Sequence, residues 1–277
     1  MAVSAGTLYL VGTPIGNLGD MTERARDTLA AVDVVAAEDT RRTGRLLARF
    51  GIRARMVSLF EGNEPARTRD VLGLLQEGKD VAVVSDAGMP GLSDPGFRLV
   101  RACAEEGIEV RVVPGPSAAI AALVVSGLPT DRFAFEGFLP RRAGERRARL
   151  ASLASEERTI VMFESPRRVE AMLEDLLHAL GDRRVAVVRE LTKLHEEVLR
   201  GTVSELARQI RDRELKGEVV LVIEGRPEPG ERDVAAFVEE ARDLVSSGLK
   251  PRAAAAQVAR RHGVAANRVY AGLIQGR

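Results

Sequence analysis

Short apolar runs alternate with amphipathic segments along roughly the first half of the chain. The runs, such as TLYLVG, VDVVAAED and DVAVVSD, are rich in β-branched residues, as buried strands are. Segments with helical spacing follow them, among them TERARDTLAAV, RTRDVLGLLQEG and GFRLVRACAEEG. This alternation is typical of βαβ units and predicts an α/β domain with a parallel sheet over residues 1–127.

The pattern changes at residue 128. Five further strand candidates follow, RFAFEGFLP, TIVMFESP, RVAVVREL, EEVLRGT and GEVVLVIEG. Helices are predicted between them at the basic segment RRAGERRARLASLASEE, at Val169–Leu180 and at 203–213. Because two of the strand runs have short connections, we expect a second α/β domain with a mixed sheet over residues 128–226.

The last part of the chain has a different pattern again. Residues 226–233, RPEPGERD, are rich in proline, glycine and charge, which is typical of a linker. Helical periodicity then predicts short helices at 234–246, 252–261 and 265–274. We therefore expect residues 227–277 to form a linker and a small helical appendage, with Gly263 in the turn of a helix-turn-helix-like segment.

Composition narrows the class of protein. The 277 residues suffice for about two domains, and 45% apolar with 29% charged residues is ordinary for a globular enzyme. No apolar run approaches the length of a membrane span, and the N-terminus lacks the signal-peptide pattern. With a single cysteine in the chain, a reduced, cytoplasmic setting is expected. Cys103 is the single cysteine and the three histidines are scattered, so neither a disulfide nor a metal site is predicted.

The net charge of +1 hides an uneven distribution. Residues 38–55 carry six arginines against two acids, residues 139–149 five arginines against one glutamate, and residues 244–277 six basic residues and no acid. A solvated helix face is the ordinary interpretation of one such cluster, but three together favour contacts with nucleic-acid phosphates. The predicted RNA contacts are Arg41, Arg42, Arg141, Arg142, Arg146, Arg147, Arg260 and Arg261.

Three loops rich in glycine and proline follow strands of the first predicted sheet. They cover residues 12–20, 85–96 and 113–119. Because ligands of parallel α/β sheets bind beyond the carboxyl ends of the strands, three such loops on one rim predict a shaped small-molecule site. None of the loops matches the dinucleotide fingerprint G-x-G-x-x-G or the phosphate loop of P-loop NTPases.

The loops, in this order, resemble those of the tetrapyrrole methylase superfamily, the class III S-adenosylmethionine-dependent methyltransferases. One bacterial branch, the ribosomal RNA small subunit methyltransferase I family, is similar to the chain in LVGTPIGNLGDMT, AEDTRRTGRLLARFGI, VSDAGMPGLSDPG, VVPGPSA, EGFLPRR, RELTK and KGEVVLVIEG. The resemblance covers essentially the whole chain. It implies an enzyme that methylates the ribose 2′-hydroxyl of a cytidine in the decoding centre of 16S rRNA, in the small ribosomal subunit.

The resemblance also implies how the site is arranged. S-adenosylmethionine would lie in a deep cleft between two α/β domains, and the protein would be a homodimer. Loop glycines would admit the methionine part of the cofactor, while Phe163, Leu191 and Val220 could wall the adenine or could simply pack in the core. The implied cofactor residues are Pro14, Ser85, Asp86, Ala87, Gly88, Met89, Ser117, Ala118, Phe163, Leu191, Val219 and Val220.

Methylation of a hydroxyl calls for a group that accepts or orients its proton. Asp39, in the segment EDTRR after the second strand, is the first candidate, although it could equally be the N-cap of the following helix. Glu61, Asn63 and Glu64, after the third strand, and Lys193, in RELTK, are further candidates. A partly buried lysine can have a lowered pKa, which would suit proton transfer.

Two other functions stay open. A tetrapyrrole C-methyltransferase of cobalamin or sirohaem synthesis would share the fold and the cofactor, but Ser85-Asp86-Ala87-Gly88 stands in place of the usual Gly-Asp-Pro loop. A non-enzymatic RNA-binding factor of ribosome assembly would explain the basic clusters, but it would have no use for intact cofactor loops.

Overall fold

The computed structural model describes residues 4–211, 213–227, 231–262 and 264–275. The first sheet contains β1 (Leu8–Val11), β2 (Val34–Ala37), β3 (Arg55–Ser58), β4 (Val81–Val84) and β5 (Val110–Val113). Its strand order is β3-β2-β4-β1-β5, and every pair is parallel. All residues of β2 and β4 are buried, because apolar side chains pack on both faces of these strands. The predicted parallel sheet is confirmed.

The helices that accompany this sheet are α1 (Glu23–Ala31), α2 (Thr40–Arg49), α3 (Glu64–Gln76), α4 (Phe97–Glu105) and α5 (Ala118–Ser126). Short polar side chains determine where several of them begin. Thr22 Oγ1 accepts a hydrogen bond from the Ala25 amide at 3.1 Å, and Ser117 Oγ accepts one from the Ile120 amide at 3.5 Å. Both caps satisfy amide groups that have no partner within their helix.

The second sheet contains β6 (Phe133–Phe138), β7 (Thr159–Glu164), β8 (Arg184–Arg189), β9 (Glu197–Thr202) and β10 (Val219–Ile223). Its order is β6-β7-β10-β8-β9. The β6–β7 pair is parallel and the other pairs are antiparallel, so the predicted mixed sheet is confirmed. Its helices are α6 (Ala143–Ser152), α7 (Val169–Leu180) and α8 (Val203–Ile210).

An apolar cluster joins the two sheets. The helix α5 follows the first sheet in the chain but packs against β7, β8 and β10 of the second. Ile15 of the first loop and Leu123 of α5 are buried there with Val161, Val188 and Val220. Because Ile15 of the first loop packs in this cluster, the loops at the rim of the first sheet lie against the second sheet.

Three helices end the chain: α9 (Glu231–Ser246), α10 (Pro251–His262) and α11 (Ala266–Gln275). They pack on one another around Val238, Ala241, Val258 and Val269, in a core of their own. The three predicted helices are confirmed. Gly263 and residues 228–230 of the predicted linker lie outside the described residues. No helix of the described chain is long and apolar enough to cross a membrane.

Candidate active site

The first and second glycine-rich loops meet at the carboxyl ends of β1 and β4. The Thr13 amide donates to the Gly88 carbonyl at 2.9 Å, and the Gly88 amide donates back to Thr13 at 3.1 Å. The third loop closes on the first, since a Cβ on Gly12 would lie 2.6 Å from Gly115 Cα. Only glycine permits this approach, which explains the glycines that the sequence places at both strand ends.

A cavity of about 360 Å³ lies between these loops and the edge of the second sheet. Its wall is largely apolar, and both domains contribute to it. The described residues that line it are Ile15, Glu38, Asp86, Ala87, Gly88, Met89, Leu92, Ser93, Asp94, Ser117, Ala118, Phe138, Phe163, Glu164, Ser165, Pro166, Gly217, Glu218, Val219 and Val220. A cavity of this kind suits a small molecule with an apolar body and a few polar groups.

The charged groups of this wall are all acidic. No lysine, arginine or histidine is among the described lining residues. Asp86 is fixed by its neighbours: its amide donates to Glu38 Oε2 at 3.1 Å, and its Oδ1 accepts from the Asp39 amide at 3.2 Å. Arg42, outside the cavity, lies 3.1 Å from Asp86 Oδ2. The arrangement favours a ligand that carries positive charge.

Asp94 is a lining carboxylate whose pKa lies well above its usual value. Burial raises its pKa to about 6, and the nearby charges of Glu38 and Asp86 add to the effect, against a hydrogen bond with Ser85. Burial also raises the pKa of Glu164, although the Ser165 amide and Arg168 oppose it. The charges of Glu38 and Asp86 disfavour the ionised form of Asp94, so a cation bound among these three carboxylates would stabilise their charged forms.

Glu64 keeps the long second loop in place. This carboxylate is buried and accepts hydrogen bonds from the amides of Gly96 at 2.9 Å and Arg98 at 3.2 Å. Charge-assisted bonds to two amides at the start of α4 hold the end of the loop, and with it Asp94, against the first domain. Glu64 therefore positions the site without lining it.

Comparison with known proteins identifies this architecture. Residues 7–207 match the family described as Tetrapyrrole (Corrin/Porphyrin) Methylases. Over 260 residues the chain is 50% identical to "Ribosomal RNA small subunit methyltransferase I" of Synechocystis sp., covering 92% of each protein. It is 47% identical to the Escherichia coli O157:H7 protein of the same name, covering 96% of this chain and 94% of that one. The chain belongs to the tetrapyrrole methylase family, in its ribosomal RNA small subunit methyltransferase I branch.

Solved structures support the fold of this tetrapyrrole methylase. The uroporphyrin-III-C-methyltransferase of Thermus thermophilus superposes with a TM-score of 0.57 at 24% identity, over 80% of this chain and 94% of that one. A cobalt precorrin-4 methyltransferase superposes with a TM-score of 0.55 at 21% identity, over 80% and 96%. At these identities the likeness concerns the fold alone.

The cavity brings together nine of the twelve residues that the resemblance assigns to the cofactor. The other three are Pro14, Ser85 and Leu191, which lie just behind the wall. Pro14 is buried beside the bridge between the first two loops, and Leu191 packs in the apolar cluster between the sheets. The Ser85 hydroxyl is 3.3 Å from the Ala87 carbonyl, so it shapes the loop from within. Binding of the cofactor by the nine stays a prediction.

Asp39 lies beside the cavity, but its side chain caps the N-terminus of α2. Its Oδ1 accepts from the Arg41 amide at 2.8 Å, and its Oδ2 pairs with the Arg41 guanidinium at 2.9 Å. The Arg41 side chain, with the backbone amides of Arg41 and Arg42, holds the pKa of Asp39 well below its usual range. A carboxylate so stabilised is a weak proton acceptor. The structure favours the N-cap, the second of the two roles that the sequence leaves open.

Lys193 is tied to two carboxylates at the rim of the cavity. Its Nζ lies 2.8 Å from Glu190 Oε1 and 3.1 Å from Glu218 Oε2, and its side chain covers Gly16. Burial alone lowers the pKa of Lys193, but the hydrogen bonds to both glutamates outweigh it and raise the pKa. The lowered pKa expected from the sequence is therefore wrong. Lys193 instead connects the first loop to the second domain.

Glu61 is exposed in the turn before α3 and does not line the cavity. Four lining residues were given no individual role from the sequence: Leu92, Asp94, Glu164 and Glu218. Asp94 could have been suspected from the length of the second loop. No local signal marks Glu164 or Glu218. The described residues hold no group of three or more side chains suited to a metal ion.

Most of the predicted RNA contacts are exposed, but one is not. The side chains of Arg41, Arg142 and Arg147 are 87%, 85% and 63% exposed. Arg42, Arg141, Arg260 and Arg261 are exposed as well, and Arg261 pairs with Glu240. Arg146 is buried, and its Nε donates to Asp175 Oδ2 at 2.7 Å. Its assignment to RNA is therefore wrong, because the guanidinium is enclosed and already neutralised.

Proposed function

We propose that this protein is an S-adenosylmethionine-dependent methyltransferase that modifies the ribose 2′-hydroxyl of a cytidine in the decoding centre of 16S rRNA. The proposal rests on the cavity between the two sheets, whose wall is largely apolar and whose charged side chains are all acidic. The relatives of the chain are named for methylation of ribosomal RNA. The choice of cytidine and of the 2′-hydroxyl rests on the resemblance of the motifs.

The cavity is chemically suited to this cofactor. S-adenosylmethionine supplies a methyl group on a positively charged sulfur. Phe163, Val219 and Val220 would cover its apolar surface, and Asp86 and Asp94 would offer negative charge to its cationic groups. Gly88, at φ +82°, lets the loop backbone come close, in a conformation that other residues rarely adopt. The chain thereby binds and orients the donor, which is the larger part of catalysis in an in-line displacement.

Labelled S-adenosylmethionine tests the function directly. We expect label on 16S rRNA in small ribosomal subunits or on naked 16S rRNA, at a ribose 2′-oxygen mapped by resistance to alkaline cleavage. Label on uroporphyrinogen would favour the tetrapyrrole C-methyltransferase, since the solved neighbours include such enzymes. Absence of label on every acceptor, with RNA binding retained, would favour an assembly factor instead.

Charge reversal of Arg141 and Arg142 is expected to weaken RNA binding at least about tenfold at low salt, because two phosphate contacts become repulsive. Both residues are exposed and follow β6, which ends at the lining residue Phe138. Fluorescence anisotropy with a 16S rRNA fragment measures the affinity and its salt dependence. The matched control reverses Arg101 and Arg111, which are exposed outside the three basic clusters. Equal losses in both double variants would contradict the proposed contacts.

We also propose a homodimer working in the cytoplasm. Ile120 and Val124 lie one turn apart on α5 and are 45% and 66% exposed, which suits a face covered by a second copy. Light scattering is expected to give about twice the chain mass of 29.9 kDa, and Val124→Asp to shift the protein towards monomer. A monomeric wild-type protein would contradict this assembly.

A further inference from the structure

Phe138 is a large aromatic side chain exposed at the mouth of the cavity. It ends β6, and 63% of its surface is open to solvent. Leu92, from the second loop of the first domain, lines the same cavity and is 40% exposed. Exposed apolar side chains grouped at a cavity mouth commonly mark a binding surface rather than part of the core.

The Phe138 ring is supported on one side. Its centroid lies 5.3 Å from that of Phe163, with the planes at 55°, and Phe163 in turn lies 5.1 Å from Phe135. This row of rings runs from the interior to the mouth of the cavity. Phe135 and Phe163 are partly buried and pack against the apolar cluster between the sheets. The outer ring is therefore held in position while much of it stays open.

Basic side chains follow Phe138 closely. Arg141 and Arg142 come three and four residues later and are exposed, so their backbone lies at most about 14 Å away along the chain. Leu139, between them and the ring, is buried and anchors the segment. An aromatic face beside exposed arginines matches how single-stranded nucleic acid is held, with a base on the ring and phosphates on the basic groups.

We propose that Phe138 stacks on the nucleobase of the nucleotide that is methylated. The inference rests on the proposed function and adds to it the form of the substrate: a nucleotide that is single-stranded or turned out of its helix. A ribose that reaches into the cavity leaves its base at the mouth, where Phe138 and Leu92 lie. Stacking is available to every base, so this contact selects an accessible nucleotide rather than a sequence.

The first test separates RNA from cofactor. In Phe138→Ala we expect the KM for small subunits to rise about tenfold or more, and by a larger factor than the loss of cofactor affinity measured by calorimetry. Phe138→Tyr keeps an aromatic face and is expected to restore the KM. Phe97→Ala is the matched control, because Phe97 is 68% exposed but does not line the cavity. An unchanged KM in active Phe138→Ala enzyme overturns the proposal.

The second test does not depend on activity. The chain contains no tryptophan, so Phe138→Trp carries the only indole. Addition of 16S rRNA is expected to quench its fluorescence, while the single tryptophan of Phe97→Trp is not quenched. If cofactor alone quenches the indole at position 138 and RNA does not, the ring belongs to the cofactor wall and the proposal is wrong. Wild-type protein that methylates no RNA would refute the proposed function, a result distinct from either outcome here.

Discussion

Asp94→Asn is expected to weaken binding of S-adenosylmethionine by about tenfold or more at pH 7.5. The substitution keeps the shape of the side chain but removes a charge that lies with Glu38 and Asp86 in a partly desolvated cavity. In such surroundings the attraction between two opposite charges at contact distance contributes several times more to the binding free energy than it would in water. Titration calorimetry measures the loss. Asp27→Asn, on the exposed face of α1, is the matched control and should bind as wild type does.

A second ligand and a second pH test whether the loss of affinity in Asp94→Asn is due to the missing charge. S-adenosylhomocysteine, which lacks the positive sulfur, should lose less affinity in Asp94→Asn than the cofactor does. The pKa of Asp94 is raised to about 6, so the carboxylate is negative above that pH and neutral below it. Wild-type affinity for the cofactor should therefore fall as the pH drops from 7.5 to 5, and this dependence should be reduced in the variant. Equal losses for both ligands would mean that Asp94 does not act on the positive charge of the sulfur.

Asp175→Ala is expected to lower the free energy of unfolding by about 3–5 kcal/mol, the usual cost of leaving a buried charge without its partner. Asp175 Oδ2 lies 2.5 Å from an Arg146 terminal nitrogen, and the two side chains are only 7% and 9% exposed. Burial alone would raise the pKa of Asp175, but hydrogen bonds from Arg147 and Arg146 lower it, so the carboxylate is charged in the folded protein. Denaturant unfolding followed by circular dichroism measures the change.

Arg147, the second and exposed partner of Asp175, provides the control. Arg147 Nε also reaches Asp175, at 2.7 Å, but its side chain is 63% exposed, so Arg147→Ala should cost only about 0–1 kcal/mol. The same comparison separates stability from RNA binding: Arg147 is open to a phosphate, whereas Arg146 is not. If Asp175→Ala unfolded at the denaturant concentration of the wild type, the ion pair would contribute nothing to the packing of α6 on α7.

Much of the fold could be predicted because its signals are local. A buried strand such as VAVV is recognised from a few neighbours, and helix starts are marked by the side chains of Thr22, Asp39 and Ser117, which cap amides two or three residues away. Gly12 and Gly115 likewise indicate that backbone comes close at these positions, but the sequence does not show that the two glycines contact each other. Ten of the twenty described lining residues belong to the three loops of the first domain, since parallel strands bring their carboxyl ends to one edge.

The sequence by itself determined the order of strands and helices, the three loops of the first domain, and the motifs that resemble the methylase family. Only the tertiary structure decided what individual side chains do. It placed Asp94 against Glu38, turned Arg146 inward to Asp175 while Arg147 stayed exposed, and left Phe138 open at the mouth of the cavity. The physical reason is that pKa, burial and partner depend on groups that are far apart in the chain. Local periodicity determines the face of an element, but packing determines what that face meets.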